Sequence, residues 1–351
     1  MIVIGSIIAL IISFYLLSEI SDRYFVVSLD KIAERLNMSH DMAGATLMAV
    51  GSSAPELFVA LIAIFKPGGH AEIGVGTIVG SALFNLLVIV GAVGVVRKAT
   101  LAWQPVVRDL IFYVIAIAAL FWVLSSGEIT TFKTIVFLVI YVIYVLAVIN
   151  WRKWFKYEQL DEDPEEEGDD EPKKGWMLIF KPFDWFLSLI FPKPKYFFSV
   201  FLISIAFIGA LCWILVESAI IISESLNIPE VVIALTVLAV GTSVPDMMSS
   251  VIVAKQGRGG MAVSNGIGSN IFDIFVGLGL PWLIKSLLVD KAIVTNMEGL
   301  GISIVLLFGS VLLLLFVLMF NKWRLNQGLG LLLILLYIGY VVWEIVKIYF
   351  F

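Results

Sequence analysis

Long apolar stretches, each followed by a short polar or charged segment, recur along the 351 residues of the chain. A helix needs about 20 apolar residues to cross the hydrocarbon core of a membrane. The first stretch lacks a basic leader and a small-residue cleavage site, so we interpret it as a span and not as a signal peptide. The pattern predicts an all-α polytopic membrane protein with ten spans, at 2–21, 39–64, 73–96, 105–124, 130–150, 197–222, 228–253, 261–284, 299–320 and 329–350.

The positions of Lys and Arg predict the orientation of these spans. With the N-terminus outside, 18 of the 23 basic residues fall in loops or flanks on the inner side. Because cytoplasmic loops are enriched in Lys and Arg, both termini are expected to be extracytoplasmic and the loop 151–196 cytoplasmic. We expect a plasma or cell membrane in preference to an organellar one.

The composition of the chain limits the kinds of metal site and cross-link that it can form. The chain is 60% hydrophobic and 15% charged, with one cysteine and two histidines. A single cysteine, Cys212, excludes an intrachain disulfide, and these counts leave no thiolate or histidine cage for a metal. We expect the lipid bilayer and inorganic cations as partners, a monomer or homodimer, and no cofactor, enzymatic activity or nucleic-acid partner.

The segment 151–196 divides the chain into two halves, 1–150 and 197–351. Its centre, "DEDPEEEGDDEPKKG", is acidic and interrupted by proline, which is typical of a solvated linker. It lacks the ordered ligand spacing of a Ca²⁺-binding loop. The following "WMLIFKPFDWFLSLIFPKPK" predicts an interfacial helix on the inner leaflet.

Two segments of the chain repeat each other. "TLMAVGSSAPELF" at 46–58 aligns with "TVLAVGTSVPDMM" at 236–248, with six identities in thirteen positions and Glu56 on Asp246. "VGTIVGSALFN" at 75–85 aligns with "VSNGIGSNIFD" at 263–273, with Asn85 on Asp273. Since each half has five predicted spans, the second copy is inverted. Inverted repeats of this kind are typical of secondary transporters, whose site lies at the midplane.

Glu56 and Asp246 each follow a proline in the middle of a span. Proline removes a backbone donor and breaks a helix, so helices 2 and 7 are predicted to be discontinuous, with carbonyls freed near 49–53 and 239–243. A carboxylate at membrane depth is costly and by default functional. Carboxylates, carbonyls and hydroxyls are the ligands that Ca²⁺ and Na⁺ prefer. The repeat therefore predicts a cation site built from both halves.

Other polar residues have less specific interpretations. Ser81 and Ser269 either face the site or hydrogen-bond to their own helices. Glu217, Glu224 and Glu344 are expected to be solvated or interfacial rather than ligands.

The two motif segments, 45–87 and 235–282, closely resemble the α-repeats of the calcium/cation antiporter superfamily. The second, "GTSVPDMMSSVIVAKQGRGGMAVSNGIGSNIFDIFVGLGLPW", is most similar to the potassium-dependent sodium/calcium exchangers. The resemblance implies a secondary active antiporter that exchanges Na⁺ for Ca²⁺ electrogenically by alternating access, with K⁺ co-transported with Ca²⁺.

Carried over residue by residue, the resemblance implies that Glu56 and Asp246 are the central Ca²⁺ ligands and also serve Na⁺. It links Asp273 to K⁺, although some potassium-independent relatives also carry Asp there. The other implied residues of the ion sites contribute carbonyls, hydroxyls or an amide: Ala49, Ser52, Ser53, Ala239, Thr242, Ser243, Ser81, Asn85 and Ser269. Ser249 departs from the family pattern, which often has threonine there. The short loop 151–196 shows no folded Ca²⁺-binding regulatory domain, so allosteric control through one is not expected.

Several other functions remain open at this point. An H⁺/Ca²⁺ antiporter would keep the acid pair, but the hydroxyls and the aspartate at position 246 favour Na⁺. A K⁺-independent Na⁺/Ca²⁺ exchanger would use the same cluster. An intramembrane aspartyl protease also has two buried acids, but in non-equivalent motifs. A channel would lack strict dependence on a counter-ion.

Overall fold

Helices make up nearly all of the structure, a computed structural model that describes residues 2–36, 49–155, 181–289, 293–294 and 299–350. The first half contains α1 (Ile2–Ile20), α2 (Val26–Arg35), α3 (Ala49–Ser52), α4 (Ala54–Phe65), α5 (Ala71–Phe84), α6 (Val90–Val96), α7 (Trp103–Ser125) and α8 (Thr131–Trp154). The second half contains α9 (Lys181–Ile190), α10 (Phe197–Leu226), α11 (Glu230–Ile233), α12 (Ala239–Thr242), α13 (Val244–Lys255), α14 (Gly259–Phe272), α15 (Gly279–Val289), α16 (Gly301–Phe320) and α17 (Gln327–Phe350).

Short π-helical segments join several of these helices into continuous rods. Ser21–Phe25 joins α1 to α2, and Ala234–Leu238 joins α11 to α12. Asn85–Ile89 joins α5 to α6, and Asp273–Leu278 joins α14 to α15. The last two begin at aligned positions of the repeat. A π-helical turn inside an α-helix is rare and often marks a functional site.

The described residues contain most of the predicted membrane spans. Within them, eight helices are long and apolar enough to cross a membrane. A ninth is obtained if the pair Glu230–Thr242 and Val244–Lys255, which is bent by 42°, is one span. The predicted span 39–64 begins in 37–48, outside the described residues. The helical membrane fold is thus confirmed, while the count of ten stays a prediction.

Both predicted helix breaks are present. α3 ends and α4 begins around Ser53, and α12 ends and α13 begins around Ser243. Pro55 and Pro245 lie in the first turns of α4 and α13. There the missing proline N–H leaves no donor for the carbonyl four residues earlier, so the helix restarts.

Two short antiparallel strand pairs connect the halves of the chain. β1 (Ala99–Thr100) pairs with β4 (Arg324–Leu325), and β2 (Glu128–Ile129) pairs with β3 (Ile293–Val294). β1 follows the third predicted span and β3 the eighth; β2 follows the fourth and β4 the ninth. One pairing is therefore the repeat image of the other, as expected for an inverted repeat.

α9 belongs to the segment predicted to form an interfacial helix. Tyr15 of α1 donates a hydrogen bond of 2.7 Å to Asp184 Oδ1, and Tyr24 stacks on Phe191 with 3.9 Å between ring centroids. These contacts join α9 and the residue after it to the first span. Its place at the inner leaflet stays a prediction, and the acidic stretch 161–175 lies outside the described residues.

Candidate ion-binding site

The two helix breaks place one carboxylate each in the interior of the protein. Glu56 lies in the first turn of α4 and Asp246 in the first turn of α13, and both side chains are 0% exposed. The unpaired N–H groups and the dipole at a helix N-terminus stabilise negative charge. The same local sequence, a proline after glycine and serine, thus produces the same placement in both halves.

A third carboxylate joins them. Asp273 is the first residue of the π-helical segment after α14 and is 0% exposed. It lies near enough to Glu56 and Asp246 for mutual electrostatic repulsion. None of the ion pairs within the described part of the chain includes any of the three. Like charges brought together in a low dielectric repel strongly, and a bound cation relieves that repulsion.

Hydroxyl groups from each break face an acid of the opposite half. Ser243 Oγ donates to Glu56 Oε1 over 3.3 Å, and Thr242 lies beside the same carboxylate. Ser52 lies beside Asp246, and Ser53 lies beside Asp273. All four hydroxyl residues are at aligned positions of the repeat. The cluster is therefore assembled across the interface between the halves.

Asn85 connects the cluster to α14. Its Nδ2 lies 3.2 Å from Asp246 Oδ2, 3.2 Å from Ser269 Oγ and 3.0 Å from Asn270 Oδ1. Asn85 begins the π-helical segment that is the repeat image of the one beginning at Asp273. The third and eighth predicted spans thus meet at these two residues.

Many oxygen atoms of the cluster have no hydrogen-bond partner among the described residues. They are Ser52 Oγ, Ser53 Oγ, Glu56 Oε2, Asn85 Oδ1, Asp246 Oδ1, Asp273 Oδ1 and Asp273 Oδ2. Burying a polar oxygen without a partner is costly, and buried polar groups in native proteins are nearly always paired. A concentration of unpaired oxygens with no facing cationic side chain is what a site for a hard cation requires.

The acids do not form a metal cage by themselves. Within the described ranges, no three His, Cys, Asp or Glu side chains are arranged to hold a metal ion. A cation in this cluster must therefore take part of its ligands from hydroxyls, the Asn85 amide and backbone carbonyls. Mixed oxygen ligands of this kind suit Ca²⁺ and Na⁺ better than transition metals.

Two of the expected site residues, Ser81 and Ala239, make local contacts within their own helices. Ser81 Oγ donates to Ile78 O of its own helix at 3.0 Å. The Ala239 carbonyl accepts from Ser243 N–H at 3.3 Å and from Thr242 Oγ1 at 3.4 Å. Ala49 begins α3. Ion-ligand roles for these residues stay predictions. Ser269 differs from Ser81, because it also accepts from Asn85.

Two residues of the network were missed from the sequence. Asn270 Nδ2 donates to Ala82 O and to Tyr113 Oη, each at 3.0 Å, and Tyr113 Oη donates to Ala82 O at 3.4 Å. A signal for Asn270 existed, because an amide in the middle of an apolar span needs a partner. No sequence signal pointed to Tyr113.

The remaining acids lie away from the cluster. Glu344 was expected to be solvated or interfacial, and this is wrong for the side chain: it is 0% exposed, accepts from Ser303 Oγ at 3.2 Å and pairs with Lys347 at 3.3 Å. A buried carboxylate with a cationic partner and a hydroxyl donor is neutralised in place. Glu217 is partly exposed and pairs with Lys66.

Close helix packing brings the two halves together beside the site. A Cβ atom at Gly80 of α5 would collide with the carbonyl oxygen of Leu235 and with Ala239 Cβ in the other half. Only glycine permits so close an approach of two backbones. The glycine lies directly before Ser81 and one turn before Asn85.

Comparison with known proteins agrees with this geometry. The sequence model of the family described as "Sodium/calcium exchanger protein" matches residues 6–150 and 196–346. The chain belongs to that family. Membership in a sodium/calcium exchanger family makes the chain a transporter rather than an enzyme, so the protease hypothesis is set aside.

Curated relatives of this exchanger-family chain carry potassium in their names. Human sodium/potassium/calcium exchanger 5 is 32% identical over 401 residues, which cover 93% of this chain and 80% of the relative. Mouse sodium/potassium/calcium exchanger 4 is 28% identical over 496 residues, covering 95% of this chain and 79% of the relative. The resemblance to the potassium-dependent branch is thus confirmed.

Solved structures with the same fold as this exchanger-family chain also exist. The sodium-calcium exchanger NCX_Mj, soaked with Na⁺ and Sr²⁺, superposes with a TM-score of 0.58 at 23% identity. The match covers 97% of this chain and 99% of NCX_Mj. At this identity the similarity establishes the shared fold.

Proposed function

We propose that the chain is a secondary active antiporter that exchanges Na⁺ for Ca²⁺ by alternating access, with K⁺ co-transported with Ca²⁺. The observation that carries the proposal is the cluster of three buried carboxylates, Glu56, Asp246 and Asp273. Among the described residues, none of them is in an ion pair and each has at least one oxygen without a hydrogen-bond partner. Family membership and the names of the relatives point to the same ions.

In this proposal Glu56 and Asp246 bind Ca²⁺ between them and bind Na⁺ in the returning state. Each supplies one buried carboxylate oxygen that has no hydrogen-bond partner in the described part of the chain, and the two acids come from opposite halves. A divalent ion balances two formal charges at one point, whereas the same charges accept separate Na⁺ ions at distinct positions. The remaining proposed ligands are the hydroxyl oxygens of Ser52, Ser53, Thr242, Ser243, Ser81 and Ser269, the Asn85 oxygen, and the carbonyls of Ala49 and Ala239.

The charge of the cluster also explains why transport is exchange. Uncompensated carboxylates at membrane depth are costly, so the cluster resists closing on both sides while it is empty. Loading with Ca²⁺ or with Na⁺ removes that cost, and only loaded states pass readily between the two faces. Since the half-sites belong to opposite repeats, movement of one repeat against the other opens the site alternately.

In this proposal, K⁺ binds beside Asp273. The cluster has one acid more in the second half than in the first, where Asn85 stands at the aligned position. With Ca²⁺ balanced by Glu56 and Asp246, neither oxygen of the third carboxylate has a hydrogen-bond partner among the described residues. A monovalent cation beside it restores local neutrality, and the relatives named sodium/potassium/calcium exchangers favour K⁺ as that ion.

The placement of the chain in the membrane belongs to the proposal. Both termini lie outside the cytoplasm and the loop 151–196 lies inside it, as the distribution of Lys and Arg favours. A plasma or cell membrane and a monomer or homodimer are proposed with it. The halves 1–150 and 197–351 form the two repeats.

The test is uptake of ⁴⁵Ca²⁺ into proteoliposomes that contain the purified full-length chain, with one cation gradient imposed at a time. An outward Na⁺ gradient is expected to drive uptake, and K⁺ on the Ca²⁺ side is expected to increase it. Uptake driven by a proton gradient without Na⁺ would instead establish an H⁺/Ca²⁺ antiporter. Uptake that needs no counter-ion would establish a channel.

A further inference from the structure

The amide of Asn85 has a defined direction in the structure. Its nitrogen faces Asp246, Ser269 and Asn270, while its oxygen has no hydrogen-bond partner among the described residues. An asparagine presents a donor group on one side and an acceptor on the other, and rotation of the amide exchanges them. Turned around, Asn85 would aim its N–H₂ group at the position of the bound cation and its oxygen at Asp246.

The neighbouring amide decides which direction Asn85 adopts. Asn270 Nδ2 lies 3.0 Å from the carbonyl oxygen of Ala82, which only accepts hydrogen bonds. The Asn270 nitrogen must therefore face Ala82, and the Asn270 oxygen must face away from it. That oxygen is 3.0 Å from Asn85 Nδ2, so only the nitrogen of Asn85 satisfies the contact.

Tyr113 adds two further hydrogen bonds to this network. Its hydroxyl accepts from Asn270 Nδ2 at 3.0 Å and donates to the same Ala82 carbonyl at 3.4 Å. Tyr113 and Asn270 are both 0% exposed. The Ala82 carbonyl therefore fixes the orientation of Asn270, and Asn270 in turn fixes the orientation of Asn85.

We propose that Asn270 and Tyr113 are positioning residues that hold the Asn85 carbonyl oxygen toward the ion cluster and its amide toward Asp246. The inference rests on the proposed function, because it assumes that a cation occupies the cluster. Neither residue touches the ion in this account. They disfavour the flipped orientation of the Asn85 amide, in which its N–H₂ group would point at the cation and repel it.

The repeat itself supports this assignment. Asn270 aligns with Ala82, so the first half has no counterpart of the orienting amide. The side chain that such a counterpart would orient is Asp273, at the position aligned with Asn85. A carboxylate has two equivalent oxygens and presents an acceptor in either orientation. The amide of Asn85 thus has an orienting partner, Asn270, in the opposite half, whereas the carboxylate of Asp273 needs no such partner.

The test is equilibrium ⁴⁵Ca²⁺ binding to the purified full-length chain in Na⁺-free buffer, measured by scintillation proximity. Asn270→Ala, which copies the natural residue of the first half, is expected to weaken Ca²⁺ binding about tenfold, and Tyr113→Phe about threefold, as lost buried hydrogen bonds do. Tyr144→Phe is the matched control, because this buried tyrosine bonds to Asp109 and not to the cluster. It is expected to bind Ca²⁺ like the wild type.

A double-mutant cycle separates orientation from packing. In an Asn85→Ala background there is no amide to orient, so adding Asn270→Ala is expected to change the Ca²⁺ affinity less than about twofold. The same is expected in an Asn85→Asp background. A full tenfold loss in both backgrounds would show that Asn270 acts independently of Asn85 and would overturn the proposal.

The remaining outcomes distinguish this inference from the proposed function. Wild-type protein that binds no Ca²⁺ would contradict both. Wild-type binding that is unchanged in both Asn270→Ala and Tyr113→Phe would overturn the positioning role and leave the exchange function standing. A loss in Tyr144→Phe as large as that in Tyr113→Phe would assign the effect to general packing of buried tyrosines and would also overturn the role.

Discussion

In the first half of the chain the π-helical segment after α5 begins with Asn85, and in the second half the segment after α14 begins with Asp273. Several features around these positions are shared: a preceding glycine and serine, complete burial, and a neighbouring helix that breaks at a serine and restarts with a proline and an acid. The backbone scaffold is therefore duplicated, whereas the charge is not.

In the proposed function, this difference is what lets one duplicated scaffold bind unlike ions. Glu56 and Asp246 are the symmetric part, and a divalent ion between them meets one acid from each repeat. Asn85 and Asp273 are the asymmetric part, with an oriented neutral oxygen in one half and a full charge in the other. The predictions that follow alter one side of this comparison at a time.

The largest effect is expected from removing a symmetric acid. Glu56→Gln and Asp246→Asn should each reduce Na⁺-driven ⁴⁵Ca²⁺ uptake at least about a hundredfold. Each mutation leaves the buried cation without one of its carboxylate partners, and losing one partner of a buried pair of opposite charges costs on the order of 3–5 kcal/mol. Glu344→Gln is the matched control, because Glu344 is equally buried but is paired with Lys347. Near wild-type exchange by either site mutant would show that the central site lies elsewhere.

A selective effect is expected from removing the asymmetric charge. Asp273→Asn should abolish the stimulation of Ca²⁺ uptake by K⁺ while keeping part of the Na⁺-driven exchange, because the amide retains an oxygen ligand but not the charge. The measurement compares uptake in K⁺ with uptake in choline. Undiminished K⁺ stimulation in the mutant would place the K⁺ site at another residue.

Exchanging the two side chains sharpens that comparison. The double mutant Asn85→Asp/Asp273→Asn keeps the total charge and moves it to the first half. If charge alone determines K⁺ coupling, K⁺ stimulation should return in part, relative to Asp273→Asn. If it does not return, the surroundings of Asp273, including Ser53, contribute to K⁺ selection as well.

A smaller difference is expected between the two aligned serines. Ser269→Ala removes a hydroxyl that contacts Asn85, and the KM for Ca²⁺ should rise about threefold, the typical value of one buried hydrogen bond. Ser81→Ala removes a hydroxyl whose hydrogen bond goes to Ile78 of its own helix, so the KM should stay within about twofold. Equal losses in the two mutants would show that Ser81 is also an ion ligand.

The smallest effect is expected from the acidic linker. Deletion of Glu162–Glu171, which lies outside the described residues, should leave uptake per folded molecule nearly unchanged, because the stretch has no apolar residues with which to pack. Turnover should be normalised to the amount of monodisperse protein. A loss of turnover with normal expression would assign the linker a regulatory role.

The sequence predicted what depends on local composition and on the repeat. Apolar stretches predicted the helical membrane fold, and the aligned Gly-Ser-Pro-acid segments predicted both helix breaks and the burial of Glu56 and Asp246. These features are visible because each is encoded twice. The π-helical segments were not predicted, since a single inserted residue in a helix leaves no clear mark in an apolar pattern.

Residues that break the repeat were harder to find. Asn270 was passed over because its aligned partner is Ala82. Tyr113 was missed because its hydrogen bonds with Asn270 and Ala82 join helices that are distant in sequence. Glu344 was expected to be solvated or interfacial, whereas Ser303 and Lys347 pair with it inside the protein. Contacts between distant segments cannot be derived from periodicity.

The central claim is that Ca²⁺ binds between acids contributed by the two halves of the chain. The most direct test is anomalous diffraction from crystals of the full-length protein soaked with Sr²⁺ in place of Ca²⁺. We expect a single strong peak that lies within coordination distance of oxygen atoms from both the Glu56 and the Asp246 carboxylates. For an alkaline-earth ion such as Ca²⁺ this distance is about 2.3–2.6 Å. A strong peak elsewhere, or none between these residues in protein that transports Ca²⁺, would contradict the account.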